Sequence, residues 1–162
     1  MKVRACPVPH DALLQRYVER SGAYTDCFEV GFAGEADLSA FLNAFYTTWL
    51  FRLERTVLTL VLRRRIRDID VAALAQGRAD TFAVWKVEAR EAQQILLCDN
   101  SGATRSFLRV VPEEGGKTQL LFGSAVVGKA SGPSFLVRVT VPLLQFYSRA
   151  LLRLAERRLR QG

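Results

Sequence analysis

A chain of 162 residues, with 23 lysines and arginines against 16 aspartates and glutamates and a formal net charge of +7, is one domain's worth of sequence. It is long enough to bury roughly 70% of its unfolded surface without disulfides or metals. Cys6, Cys27 and Cys98 are widely spaced with no Cys-x-x-Cys pair, the chain opens on no apolar leader, and its longest aliphatic run, near residues 57–62, is far short of a membrane span of about 20 residues; these features argue against a disulfide framework, a zinc site and a transmembrane protein, and a soluble cytoplasmic protein is expected.

Residues 11–20 give a short helix signal, with Asp11 as its cap and Ser21-Gly22 as its stop. Residues 24–32 alternate, with Tyr24, Asp26, Phe28, Val30 and Phe32 on one face and Thr25, Cys27, Glu29 and Gly31 on the other, which predicts a strand. Asp37 is placed to cap a helix whose apolar positions are Leu38, Phe41, Leu42, Phe45, Trp49 and Leu53. Leu50, Phe51, Leu58 and Leu62 fall off that stripe, so the segment reads as two helices with a bend near residues 52–56. Arg63, Arg64, Arg65 and Arg67 end it, cations that suit a helix C-terminus. Residues 70–77 form a compact helical turn from Asp70 to Gly77.

After residue 80 the hydrophobic period changes from 3.6 to 2. Residues 81–90 alternate, with Ala83, Trp85, Val87 and Ala89 opposite Phe82, Val84, Lys86, Glu88 and Arg90, and read as one half-buried strand. Strands follow at 94–98, 104–111 and 117–127, separated by Asp99-Asn100-Ser101-Gly102 and by Pro112-Glu113-Glu114-Gly115-Gly116. Those residues favour tight turns, so the strands make an antiparallel meander. Residues 128–134 are a loop, and residues 135–141 suit either a strand or the start of a helix bent at Pro142. Residues 140–159 predict a long amphipathic helix. Leu143, Tyr147, Ala150, Leu151, Leu154 and Ala155 make its apolar face, and Arg149, Arg153, Arg157 and Arg160 make a stripe opposite. Burying five or six such side chains against the strands is worth roughly 10 kcal/mol gross. The fold class is therefore α+β, a curved antiparallel sheet wrapped around a long C-terminal helix, in one domain spanning residues 1–162.

This order of strand, helical excursion, meander and long final helix resembles the START-like, helix-grip superfamily that includes the polyketide cyclases. The stretches that carry the resemblance are Phe82-Ala83-Val84-Trp85-Lys86-Val87, Thr104-Arg105-Ser106-Phe107-Leu108-Arg109-Val110, Thr118-Gln119-Leu120-Leu121-Phe122-Gly123-Ser124-Ala125-Val126 and Phe146-Tyr147-Ser148-Arg149-Ala150-Leu151-Leu152. They look like a small bacterial branch of that superfamily. The resemblance implies a cavity between sheet and helix that binds a small hydrophobic molecule such as a lipid, isoprenoid or polyketide. The short meander implies that this cavity is small or collapsed.

His10 is the sole histidine, so Ser-His-Asp, Cys-His and multi-histidine metal arrangements are not available. Asp68 with Asp70, and Glu113 with Glu114, sit where capping and turn solubility explain them, and no phosphate-binding glycine loop is present. No catalytic residue, metal or cofactor is assigned, and the protein is read as a binder rather than an enzyme. The candidate ligand contacts are Trp49, Trp85, Arg90, Arg109, Phe122, Ser124, Tyr147 and Leu151, an apolar lining with a few polar groups as in most small-molecule pockets. Arg105 is a further polar residue that the strand pattern places near the cavity. For Arg90 and Arg109 the competing placement is the solvent face of the sheet. The alternatives are a cyclase or aromatase in which Tyr147 or an arginine polarises a carbonyl, and an interaction or membrane-surface module that uses the arginine stripe. The second of these is not favoured, nucleic acid is not expected as a partner, and the sequence leaves the oligomeric state open.

Overall fold

A computed structural model describes residues 2–20, 22–48, 68–82, 85–127 and 135–161. Within them the elements run β1 (Arg4–Ala5), α1 (Gln15–Val18), β2 (Ala23–Phe32), α2 (Leu38–Tyr46), α3 (Asp68–Ala75), β3 (Thr81–Phe82), β4 (Trp85–Arg90), β5 (Gln94–Asp99), β6 (Thr104–Glu113), β7 (Lys117–Val127) and α4 (Phe135–Leu159). The strands form one antiparallel sheet in the order β1-β2-β7-β6-β5-β4-β3. The early strand β2 closes on the last strand β7, from Ala23↔Val127 to Phe32↔Thr118. Helix α4 packs across β2 and β7 and against α2. This is the α+β arrangement, an antiparallel sheet packed on a long C-terminal helix, that the change of period and the final apolar stripe predict.

Alternation along the strands divides the core in two. Phe28, Val30, Ile95, Leu97, Leu108, Leu120 and Phe122 point to the inner face and meet Phe41, Leu42 and Phe45 of α2 and Leu151, Leu152 and Ala155 of α4. Full burial of a leucine such as Leu151 or Leu152 is worth about 1.5–3 kcal/mol. The outer face is also covered. Cys27, Leu96, Phe107, Leu121 and Ala125 pack under Ala12, Leu14 and Tyr17 of the N-terminal segment, which lies on the sheet as a strap.

The strap explains why only one turn of the expected 11–20 helix forms. Leu13 N donates to Gln94 Oε1 at 2.9 Å, and Gln94 Nε2 donates to the Asp11 carbonyl at 3.2 Å. The sheet thus takes over backbone groups that a helix would have paired internally. Asp11 is not a helix cap; its carboxylate receives both terminal nitrogens of Arg109, at 2.7 and 2.6 Å. Gly123, on β7 beneath the strap, has no room for a side chain. A Cβ there would lie 2.7 Å from Leu14 Cδ2 and 2.8 Å from the Asp26 carbonyl oxygen.

Three further expectations change. Residues 81–90 are not one strand: Phe82 and Trp85 face each other across a hairpin, Phe82↔Trp85, and both join the inner core. In β4 the register then slips between Val87 and Ala89. A bulge of this kind places one extra residue on one strand and reverses the alternation beyond it. Among the residues of α4 whose burial is described, 145–159, the buried positions are Ser148, Leu151, Leu152, Ala155 and Glu156, one place further along than the apolar stripe of the sequence. Two of the five are polar, which is why hydrophobicity alone misplaces the face. Residues 135–141 belong to α4. Asp37 caps α2 as expected, accepting from Ala40 N at 2.7 Å, and α2 ends at Tyr46. Gly77 stops α3 with φ +70°. The proposed bend near residues 52–56, the arginines at 63–67 and the loop at 128–134 lie outside the described residues.

Candidate functional site

A pocket of about 220 Å³ opens between α2, α4 and the inner face of the sheet. Phe45 and Tyr46 enter from α2, Trp85 from β4, Ser106 from β6, Phe122 and Ser124 from β7, and Tyr147, Ser148 and Leu151 from α4. The rings of the apolar wall pack on one another. The Phe45 and Phe122 centroids are 4.7 Å apart, and Phe45 meets Tyr46 edge to face at 5.2 Å. Offset and edge-on contacts of this kind add to simple burial.

One side of the pocket is polar, and strand register makes it so. Asp26 on β2 stands opposite Ser124 on β7, which stands opposite Ser106 on β6. Directly opposed residues share a face, so a carboxylate and two hydroxyls form a row on the inner face, of which the two serines line the pocket and Asp26 stands beyond Ser124. Asp26 Oδ1 accepts from Ser124 Oγ at 2.6 Å and from Ser124 N at 3.0 Å. Tyr24 OH donates to Asp26 Oδ2 at 3.3 Å, and Gln145 Nε2 of α4 donates to Tyr24 OH at 2.8 Å. Burial pushes the Asp26 carboxyl above the usual aspartate range, and the hydrogen bonds from Ser124 and Tyr24 offset that only in part.

Five of the residues proposed from the sequence, Trp85, Phe122, Ser124, Tyr147 and Leu151, come together on this pocket. Arg90 and Arg109 do not. Beyond the β4 bulge, Arg90 reaches α3, where its terminal nitrogens donate to the Leu74 and Ala75 carbonyls at 2.6 Å each. It satisfies the end of a helix rather than facing a ligand. Arg109 sits on the outer face, tied to Asp11. The Arg105 guanidinium is also on that face, at 2.7 Å from Glu88 and 2.9 Å from Tyr17 OH. Burial opposes ionisation of Glu88, but hydrogen bonds from Tyr17 and Arg105 outweigh it and hold the carboxyl below its ordinary range. Trp49 lies outside the described residues.

Sequence reasoning passed over Phe45, Tyr46, Ser106 and Ser148 on the pocket wall, and behind Ser124 it passed over Asp26. Its signal was present, an acid on the same alternating face as Phe28, Val30 and Phe32. The fold also joins Cys6 to Cys27, which the sequence separates. Cys6 N donates to the Cys27 carbonyl at 3.0 Å, and a hydrogen bond from the Cys27 thiol lowers the Cys6 pKa. Both are free thiols. Among the described residues no group of three His, Cys, Asp or Glu side chains is placed to hold a metal, and no helix is long and apolar enough to cross a membrane.

A second hollow, of about 480 Å³, lies at the opposite end of the sheet among Glu35, Asp37, Glu113, Lys117 and Thr118. It is open and polar. Thr118 Oγ1 already donates to the Gly34 carbonyl at 2.8 Å and accepts from Ala36 N at 3.1 Å.

No protein-family model and no curated protein matches the sequence. Among solved structures, that of Ara h 8.0201 is similar over 87% of this chain and 100% of its own, at 10% sequence identity and a TM-score of 0.43.

Proposed function

We propose that the protein binds a small, largely apolar molecule in the pocket between α4 and the sheet, without carrying out chemistry on it. The observation that carries this reading is an aromatic pocket of about 220 Å³ with a pair of serines, Ser106 and Ser124, side by side on its sheet wall. Such a division is what small-molecule sites use, apolar walls for affinity and a few polar groups for orientation. The volume equals about seven waters at about 30 Å³ each, so the ligand is compact, or only its end enters.

The test is a thermal-shift and fluorescence screen with small isoprenoids, phenols, short fatty acids and aromatic polyketides. At about 100 times its dissociation constant a ligand adds about 2.7 kcal/mol, or roughly 5–11 °C in Tm at 2–4 °C per kcal/mol. Trp85 lines the pocket, so binding changes tryptophan emission, and Trp85→Leu blunts that change. A screen in which no apolar compound moves either signal refutes the reading.

A further inference from the structure

The polar row has a direction as well as a position. Ser124 Oγ gives its proton to Asp26 Oδ1 at 2.6 Å, so what Ser124 offers the pocket is its lone pairs. Ser106, beside it in register and buried, has no hydrogen-bond partner for its hydroxyl among the described residues. Ser106 is thus a donor or an acceptor in waiting. One ligand group satisfies both at once: a hydroxyl that donates to Ser124 Oγ and accepts from Ser106 Oγ. The nearby arginines face away. Arg105 and Arg109 are committed to Glu88 and Asp11 on the outer face of the sheet.

We propose that the pocket selects neutral apolar alcohols and phenols, seating the hydroxyl between Ser124 and Ser106. This rests on the ligand-binding reading above. A carboxylic acid fits poorly for two reasons. Its carboxylate has no proton for the Ser124 lone pairs, and it would leave water for an apolar pocket near the Asp26 carboxyl, where Arg105, the one cation among the described lining residues, has its guanidinium already engaged by Glu88 and Tyr17 on the outer face of the sheet. A hydrocarbon fills the apolar wall but leaves Ser106 and Ser124 desolvated and unpaired. Ser124 also holds Asp26 through its backbone nitrogen at 3.0 Å. Removing its hydroxyl therefore leaves that anchor in place.

The experiment is titration calorimetry of the intact protein with four matched probes: 4-butylphenol, butylbenzene, 4-butylbenzoate and 4-butylbenzylamine. The phenol is expected to bind about tenfold more tightly than butylbenzene, the size of one good hydrogen bond, and the benzoate more weakly than either. Ser106→Ala, which leaves the Asp26 hydrogen bonds untouched, is expected to lower phenol affinity about tenfold and leave butylbenzene unchanged. Ser124→Ala should do the same, with a melting curve run alongside to verify folding. Equal binding of phenol and butylbenzene, or indifference of the phenol to Ser106→Ala, overturns the hydroxyl selection and leaves an apolar pocket standing. A benzylamine that outbinds the phenol overturns it in favour of cation recognition by an ionised Asp26. Binding of none of the four, by calorimetry or by thermal shift, removes the pocket reading itself.

Discussion

Asp26 is a carboxyl held where water is scarce, and its titration follows from that. Burial raises its pKa in the folded protein above that of the unfolded chain. Between those two values the folded state binds more protons, so stability falls as pH rises through the window. Asp26→Asn keeps an oxygen for Ser124 and supplies an amide for Tyr24, but it does not titrate. The variant should therefore gain on the wild type as pH increases from about 3.5 to 7, measured by urea unfolding of both proteins at each pH. A variant-minus-wild-type stability that stays flat with pH shows that Asp26 ionises as in the unfolded chain, and one that falls with pH shows a lowered pKa; either result contradicts the expectation. Asp11, held low first by the hydrogen bond from Arg109, acts in the opposite sense: its contribution is present above the ordinary carboxylate range and is lost as pH falls. At Gly123 the constraint is steric. Gly123→Ala puts a carbon 2.8 Å from a backbone oxygen and 2.7 Å from Leu14, and overpacking of this kind costs about 1–3 kcal/mol. Leu14→Ala should relieve part of it, so the double variant loses less stability than the two singles summed. Strict additivity in a urea cycle would mean that the strap does not press on this glycine.

Helix α4 shows how far amphipathic pattern reaches. It gave the element, its C-terminal end and the exposed arginines, but not its start at Phe135, and the buried face includes Ser148 and Glu156, which no hydrophobic pattern selects. Glu156 is 3% exposed and pairs with Arg160, itself 45% exposed. Arg160→Ala strands a buried carboxylate. The expected cost is about 1–3 kcal/mol, below the 3–5 of a fully buried pair because solvent screens this cation. Glu156→Gln in the same background should return most of it. No rescue in chemical denaturation would mean that the pair contributes packing and not charge. The other elements divide along the same line. Strand β2 and the strands from β5 to β7 were legible because period 2 and turn residues are local properties. The β3–β4 hairpin and the bulge after Val87 were not, since both replace the strict alternation that the reading assumed. Arg90 changes face for that reason alone. The pocket residues Trp85, Phe122 and Ser124 were accessible from parity. The hydrogen bond that makes Ser124 an acceptor was not, because it depends on which strand closes the sheet beside β7.

The formal net charge of +7 invites a reading of the protein as an electrostatic binder, and the placement of the arginines opposes it. The Arg149 guanidinium lies 5.1 Å above the Phe28 ring. Arg160 is paired with Glu156, Arg105 with Glu88 and Arg109 with Asp11. Arg149 ties the helix to the sheet, Arg105 and Arg109 tie the strap to it, and Arg160 is paired within α4; a carboxylate beside each of the last three weakens the local basic patch they offer an anionic surface, while the net charge is unchanged. Against this stands Phe146, 72% exposed on the same helix, an aromatic that could dip into a lipid interface beside Arg153 and Arg157. The two accounts give different salt behaviour. Free basic residues contribute about 1 kcal/mol each near an anionic membrane, an attraction that fades as the screening length shortens to about 8 Å at 0.15 M salt. With the cations engaged internally, sedimentation with phosphatidylglycerol vesicles should show no retention at 0.15 M salt. Arg153→Gln with Arg157→Gln should leave both sedimentation and stability unchanged, the latter within about 0.5 kcal/mol. Strong retention that falls steeply with salt, and that disappears in this double variant or in Phe146→Ser, would make the outward face of α4 a membrane contact and leave the pocket on its inward face to be explained beside it.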